Sequence, residues 1–390
     1  MTSLTSGTHT LATYGYDGSN QLSQVQYGDG SGYTFAYDGS GQLLSVTDLS
    51  GRPIESHEYS GSYGVTSEIA DGREKYTLSF GSFQTTVNDG LGNQTVYQWA
   101  NVAGQKVITK VTGPCSSCGG GSGETREWTY DSKGRIASYK DGAGTITTYT
   151  YDADGNLQQQ QSPSGTTSYT YDSQARVLTV SAPASGTTTN VYGPAGPTSI
   201  TQQVTDTTTR TTNITYTPEG KPEHITDPRN KTTILAYNPS GDLTSVKDPL
   251  NHETTFGYDD LGRRTSVTDA LNHTTSTLYD DRGHVTRITS PDLTHTDFAY
   301  DAGGRRTSVT DPLGRKTSYV YDTYGRLMAV VDPAGGTTRY GYDLMGNLTA
   351  LIDANVHQTS FEYDAYNRVK KVTYPGGAYE SFTYDSAGRL

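Results

Sequence analysis

The chain has 390 residues, of which only 32% are hydrophobic, yet it holds 31 Tyr and 45 Gly. Such a composition excludes a helical protein and a thick aliphatic core, and favours a long ribbon whose thin core is renewed at each step. A net charge of −12 with no basic stripe repels phosphate backbones and excludes nucleic acid as a partner.

In chain order, residues 1–58 open with a repeat whose tyrosines, Tyr16 and Tyr37, stand 21 apart. The first ten residues, MTSLTSGTHT, lack the positive and apolar regions of a secretion signal, and no apolar run in the chain reaches the length of a membrane span. Residues 59–128 keep the texture of strands and turns but lose the motif, which reads as a degenerate part of the same sheet or as a small separate unit. They include a glycine-rich loop at 113–123 that holds the only two cysteines, Cys115 and Cys118. A lone CxxC is half a zinc site, so a local disulfide, two free thiols, and metal or redox chemistry all stay open.

Residues 129–215 resume the period irregularly, with a Pro/Gly/Ser/Thr-rich stretch at 182–197 that predicts a longer turn. From 216 to 390 the period is strict. Tyr216 returns at 237, 258, 279, 300, 321, 342, 363 and 384, always 21 residues on. A period held this firmly means a stacked array of one supersecondary unit.

Numbered from its tyrosine, the unit has Asp at the second place, as in Asp322, and Gly at the fifth, as in Gly304 and Gly325, with Asn367 the exception. Asp opening a four-residue turn and Gly closing it in the left-handed region predict a tight turn there. DPLG at 311–314 and DPAG at 332–335 predict a second one. The segments between are rich in Thr, Val, Tyr and Phe, so each repeat is two short strands and two turns, and the fold class is all-β. Strand alternation puts Tyr300, Tyr321 and Tyr342 in one aromatic stripe, which is either a packed ladder or a track that binds glycans or peptides.

YDTYGRLMAVVDPAGGTTRYGYD at 321–343 and YDAGGRRTSVTDPLGRKTSYVYD at 300–322 resemble the YD-repeat, or Rhs (rearrangement hot spot), family. The resemblance covers nearly the whole chain. It implies a β-ribbon wound in a wide spiral, like the walls of hollow shells around toxin domains, insecticidal toxin complex B and C subunits, wall-associated proteins and teneurins. The DPxGxxDGxNLY-like segment that closes toxin-releasing shells is not found in this sequence.

Other chemistry is thin. His252 and His273 share one repeat place with no evident acidic partner and read as turn residues, and DADGN at 152–156 lacks the glutamate of a calcium loop. No nucleophile elbow, phosphate loop or HExxH occurs, so no enzyme, cofactor or metal site is expected.

The two ends fit each other. With Met1 removed and Leu390 followed by Thr2, Tyr16 falls 21 residues after Tyr384, with Leu4 at the aliphatic tenth place and Tyr14 at the aromatic twentieth. This predicts a subunit that polymerises head to tail, or an excerpt of a longer protein cut at a repeat boundary. The sequence reading is therefore a structural scaffold at the cell surface or outside it, forming a fibre or a shell. Its expected partners are copies of itself, an encapsulated toxin or surface glycans.

Overall fold

A computed structural model describes residues 2–6, 9–114, 125–205, 207–385 and 389–390 of the chain. Among these residues all regular structure is strand, with 36 strands joined as antiparallel neighbours in one open sheet. No described helix is long and apolar enough to cross a membrane. Cys115 and Cys118 lie outside the described residues.

One repeat shows why the ribbon forms. Strand Lys316–Tyr321 pairs with Leu327–Val331, which pairs onward with Thr337–Tyr342. Thr, Tyr and Val suit such a pleated, half-buried surface, and the Asp–Gly turns fix the register between strands. Val320 faces Ala329 while Tyr321 faces Leu327, so Met328 is an extra residue on the return strand. The same bulge precedes Tyr258, Tyr300, Tyr342 and Tyr363. A bulge bends and twists its strand, so the ribbon receives the same local increment once per repeat.

Burial is shallow throughout. Among the described residues no large side chain is fully buried, and the buried apolar residues are Ala12, Val25, Val46, Val111, Ala329 and Tyr366. Stability is therefore spread over cross-strand pairs and ladder hydrogen bonds, each worth on the order of 1 kcal/mol or less.

The chain divides into two compact units, unit 1 being Met1–Arg126, Tyr279–Arg287 and His295–Leu390, and unit 2 being Glu127–Leu278 and Ile288–Thr294. In unit 1, the motif-poor stretch forms strands Tyr63–Glu68, Tyr76–Phe80, Gln84–Asp89, Gln94–Val102 and Gln105–Thr112, each laddered to the next. In unit 2, most of the longer turn expected at 182–197 is strand instead. Val177–Ala182 pairs with Gly186–Tyr192, and that strand pairs with Pro197–Gln203. The β-branched run Thr187, Thr188 and Thr189 outweighs the flanking Pro and Gly, which lie between the strands or, as Gly186 and Pro197, at the first residue of one.

Candidate functional site

The turn that opens each repeat is a small hydrogen-bonded cage. Asp322 accepts the Tyr324 and Arg326 backbone N–H groups on Oδ1, at 3.0 and 2.9 Å, and the Arg326 Nε–H on Oδ2 at 2.8 Å. Gly325 donates its N–H to the Asp322 carbonyl at 3.0 Å and holds φ at 90°, while Gly304 stands at 76° and Asn367 at 58°. A positive φ is open to glycine, tolerable to asparagine and strained for other residues. Burial works to raise the Asp322 carboxyl, but the donations from the Arg326 backbone and side chain outweigh it and hold the group below the usual carboxylate value. At Asp311, in the second turn, the Arg315 backbone N–H is the largest influence and the carboxyl again lies low.

The same arginine links its repeat to the next one. Arg326 lies 4.9 Å from the centre of the Tyr342 ring and donates from Nη1 to the Asp343 carbonyl at 3.3 Å. Arg305 over Tyr321, at 5.0 Å, and Arg368 over Tyr384, at 4.2 Å, repeat the contact. In most repeats the tyrosine then spends its hydroxyl on the backbone. Tyr342 donates to the Leu327 carbonyl at 2.9 Å, Tyr321 to Arg306 at 2.9 Å and Tyr300 to Val285 at 3.0 Å. These carbonyls sit where the ladder between hairpins has ended, since pairing stops at Ala329 and Arg339. The tyrosine thus satisfies an acceptor that no strand neighbour reaches.

Unit 1 holds a second device, a seam between distant repeats. Arg282 Nε lies 3.1 Å from Asp29 Oδ2, with side chains only 18% and 10% exposed. The Tyr324 hydroxyl donates to Asp71 Oδ2 while Arg73 stacks 4.2 Å from the centre of the Tyr324 ring. The Glu74 N–H donates to the Leu344 carbonyl at 2.8 Å, and the Gly90 N–H to Met345 Sδ at 3.3 Å. The geometry has one rule. The second-turn rim of residues 29–90 meets the YD-turn rim of residues 282–345, repeat against repeat.

The sequence-predicted residues are placed as follows. Asp322, Gly304, Gly325, Tyr300, Tyr321 and Tyr342 all lie in the cages and tyrosine stitches of unit 1. The terminal residues are not brought together as one site. Strand Ser3–Ser6 places Leu4 opposite Ala12 within its own hairpin, the Tyr14 N–H donates to the Thr2 carbonyl at 2.9 Å, and Tyr16 faces Leu22. Tyr384 donates to the Val369 carbonyl at 2.8 Å, and Leu390 is exposed.

The histidines require a correction, because each does have an acidic partner. His252 Nδ1 lies 2.9 Å from Asp248 Oδ2 and His273 Nδ1 lies 3.0 Å from Asp269 Oδ2, each within its own turn. The spacing of four residues across the turn brings them together, which the sequence reading had missed. Among the described residues no three metal-ligating side chains gather. Asp152 of DADGN accepts Asn156 on both oxygens, as a turn aspartate does.

Two further features escaped the sequence reading. The sixth-place arginine was part of the quoted motif, but its stacking on the next tyrosine was not foreseen. The seam residues Asp29, Asp71, Arg73 and Arg282 carried no signal, since nothing local marks their partners. Among the described residues, three of the seven exposed rings, Tyr63, Phe80 and Phe83, lie in the motif-poor stretch, where Phe83 packs 5.2 Å from Trp99 and Tyr63 lies 5.1 Å from Phe80.

The family model for the RHS repeat matches residues 16–53, 130–167, 151–188, 237–274, 279–316, 321–355 and 363–390, which together exceed half of the chain. No curated protein matches it. Among solved structures, a mutant Tc holotoxin pore of Photorhabdus luminescens is similar at 15% identity and a TM-score of 0.77, over 97% of this chain and 25% of that one. The TcdB2-TccC3 complex is similar at 16% identity and a TM-score of 0.69, over 97% and 23%. Without its hypervariable C-terminal region the same complex gives 17% identity and a TM-score of 0.70, over 97% and 23%. The chain thus spans about a quarter of the length of these structures, and the likeness at this identity is one of fold.

Proposed function

The chain belongs to the RHS repeat family, and on that premise we propose that it is a non-enzymatic structural wall, working outside the cell or at its surface as part of a shell or fibre. The observation that carries this reading is the use of the tyrosine stripe. At Tyr321 and Tyr342 the hydroxyl is spent on a backbone carbonyl and the ring lies under an arginine, while the Tyr300 hydroxyl is spent likewise and its ring stacks on His284, so this stripe stitches hairpins together and offers little to a ligand. The in-register aspartates Asp301, Asp322 and Asp364 are likewise occupied by turn N–H groups, a structural use that competes with a catalytic one. By likeness to toxin-complex shells, the substance it would enclose is a toxin polypeptide.

The test is direct imaging by negative stain, coupled to protease challenge of a passenger polypeptide expressed with the wall. Curved walls and a protected passenger support the proposal. Compact particles with a passenger cleaved at the free rate refute it. A broad screen against glycosides, peptides and esters should be blank.

Head-to-tail assembly belongs to the same proposal. Among the described residues, Ser3–Ser6 and Tyr379–Ser381 each have a ladder partner on one side only, and pairing them between copies would satisfy both edges. Deleting 384–390 should then shorten assemblies without unfolding the subunit. A glycan-binding reading is favoured by one feature, the shallow groove lined by Ser82, Phe83, Gln84, Gln98, Trp99 and Thr109. Binding on a glycan array that Phe83→Ala abolishes would establish it, and a blank array would remove it.

A further inference from the structure

Methionine is rare in this chain, and among the described residues it occurs at 328 and 345, both in unit 1. Met328 is the extra residue of a bulge and is 46% exposed. Met345 is half-buried in the seam, where its Sδ accepts the Gly90 N–H at 3.3 Å. Its own N–H is held by Asp343 Oδ1 at 2.9 Å, and the Leu344 carbonyl beside it accepts the Glu74 N–H at 2.8 Å. The opposite side of the seam is crowded. A Cβ on Gly90 would meet Met345 Sδ and the Gly72 carbonyl oxygen at 3.3 Å and the Lys75 carbonyl oxygen at 3.6 Å. Sulfur, two acceptor oxygens and the Gly90 N–H thus share one narrow place. The same position of the YD turn is Tyr324 and Tyr366 in neighbouring repeats, so the turn itself does not require a thioether.

We propose that Met345 is an oxidation site, and that its conversion to the sulfoxide by hydrogen peroxide loosens the seam between residues 72–90 and 344–346. In this step the peroxide O–O bond breaks, one oxygen bonds to sulfur, sulfur gives up two electrons, and the other oxygen leaves as water. A thioether is a soft, weak acceptor that adapts to a tight gap, whereas the sulfoxide is polar and chiral. One epimer carries its oxygen on the lone pair that now receives Gly90. That oxygen would stand well inside hydrogen-bond distance of the Gly90 nitrogen, since the sulfur itself is only 3.3 Å away, so the two turns must part before the bond can re-form. The other epimer leaves the Gly90 N–H facing a sulfur poorer in electrons. Either product works against the contact, and the Gly72 and Lys75 carbonyls offer the new oxygen no donor. A seam built this way loosens where peroxide is abundant and closes again when the sulfoxide is reduced.

The inference concerns the seam alone and stands whether the wall builds a shell or a fibre. In its test the intact chain is treated with graded hydrogen peroxide, oxidation of each methionine is followed by peptide mass mapping, and amide exchange is read at Glu74 and Gly90. Oxidation of Met345 should make both amides exchange about tenfold or more faster, and the two stereospecific methionine sulfoxide reductases together should restore them. Met328→Leu should leave this response intact. Met345→Leu keeps the bulk but cannot form a sulfoxide, so it should abolish the response with little change in melting temperature. Should Met345→Leu fail to fold, the mass map of the parent chain still decides, because quickened exchange must track oxidation at 345 and not at 328. A Met345 that stays reduced after Met328 is fully oxidised, exchange at 74 and 90 unchanged once Met345 is oxidised, or a response that survives in Met345→Leu would overturn the proposal.

Discussion

Substituting alanine for Gly325 and for Gly335 separates two costs that the structure places side by side. Both glycines hold a left-handed backbone, at φ 90° and 88°, so each alanine is strained by on the order of 1–3 kcal/mol. At Gly335 a new Cβ meets no heavy atom within 4 Å, and the strain stands alone. At Gly325 the Cβ would come 2.6 Å from Arg52 Nη1, across the seam. The guanidinium is the far end of a flexible side chain, and Arg52 keeps Asp48 through Nε at 2.9 Å, so its displacement adds less than about 1 kcal/mol. Because an array of repeats opens locally, amide exchange is the appropriate assay. A loss of about 1.4 kcal/mol is tenfold in exchange, so each mutated turn should exchange about ten to a hundred times faster. Only Gly325→Ala should also quicken exchange at residues 48–52. Asparagine at Gly335 should cost less than alanine, because Asn230, Asn251 and Asn272 already hold that place at φ 59°, 69° and 65°. Unchanged protection in both alanine variants would refute the argument from backbone strain, and an unchanged 48–52 would refute the seam at that point.

Val356 is a β-branched residue at φ 64° with an exposed side chain, so Val356→Gly should raise stability by about 1 kcal/mol by relieving strain, read as slower exchange in its turn; faster exchange would contradict this. Turn aspartates including Asp227, Asp311, Asp322, Asp353 and Asp364 are held below the ordinary carboxylate value, so the unfolded chain binds more protons in acid. Their stabilisation is complete above about pH 4, the unfolded value, and is lost as pH falls through the lower folded values. The melting temperature should therefore be level from neutrality to about pH 5 and drop below about pH 4, and a flat profile into stronger acid would count against the turn cages. Breaking the seam pair with Arg282→Gln should cost about 1–3 kcal/mol, because Asp29 is nearly buried, though it keeps the Ser31 N–H and hydroxyl at 2.7 Å. Exchange should quicken at both 29–31 and 280–284, and a change on one side only would show the pair to be uncoupled.

The repeat, its two turns and its strands were legible in the sequence because the interactions that make them are local. Asp322 reaches only as far as Arg326, and the left-handed place at Gly325 or Asn367 is dictated by the few residues around it. Thr, Val and Tyr alternating between such turns leave one workable structure, an antiparallel ribbon, and the period of 21 copies it along the chain. Even the histidine turns follow this logic once the spacing of four from Asp248 to His252 is seen. The link between repeats was half legible, since the arginine and the tyrosine both recur, but only the folded ribbon shows that one stacks on the other. The seam was decided by tertiary structure alone. Tyr324 and Asp71 are 253 residues apart, and Gly90 and Met345 are 255 apart. Which repeats meet at such distances depends on twist and bend accumulated over about a dozen repeats, where a small change at each bulge shifts the final register by a whole strand. Local chemistry fixes each increment only roughly, and the packing of one rim on another selects the total.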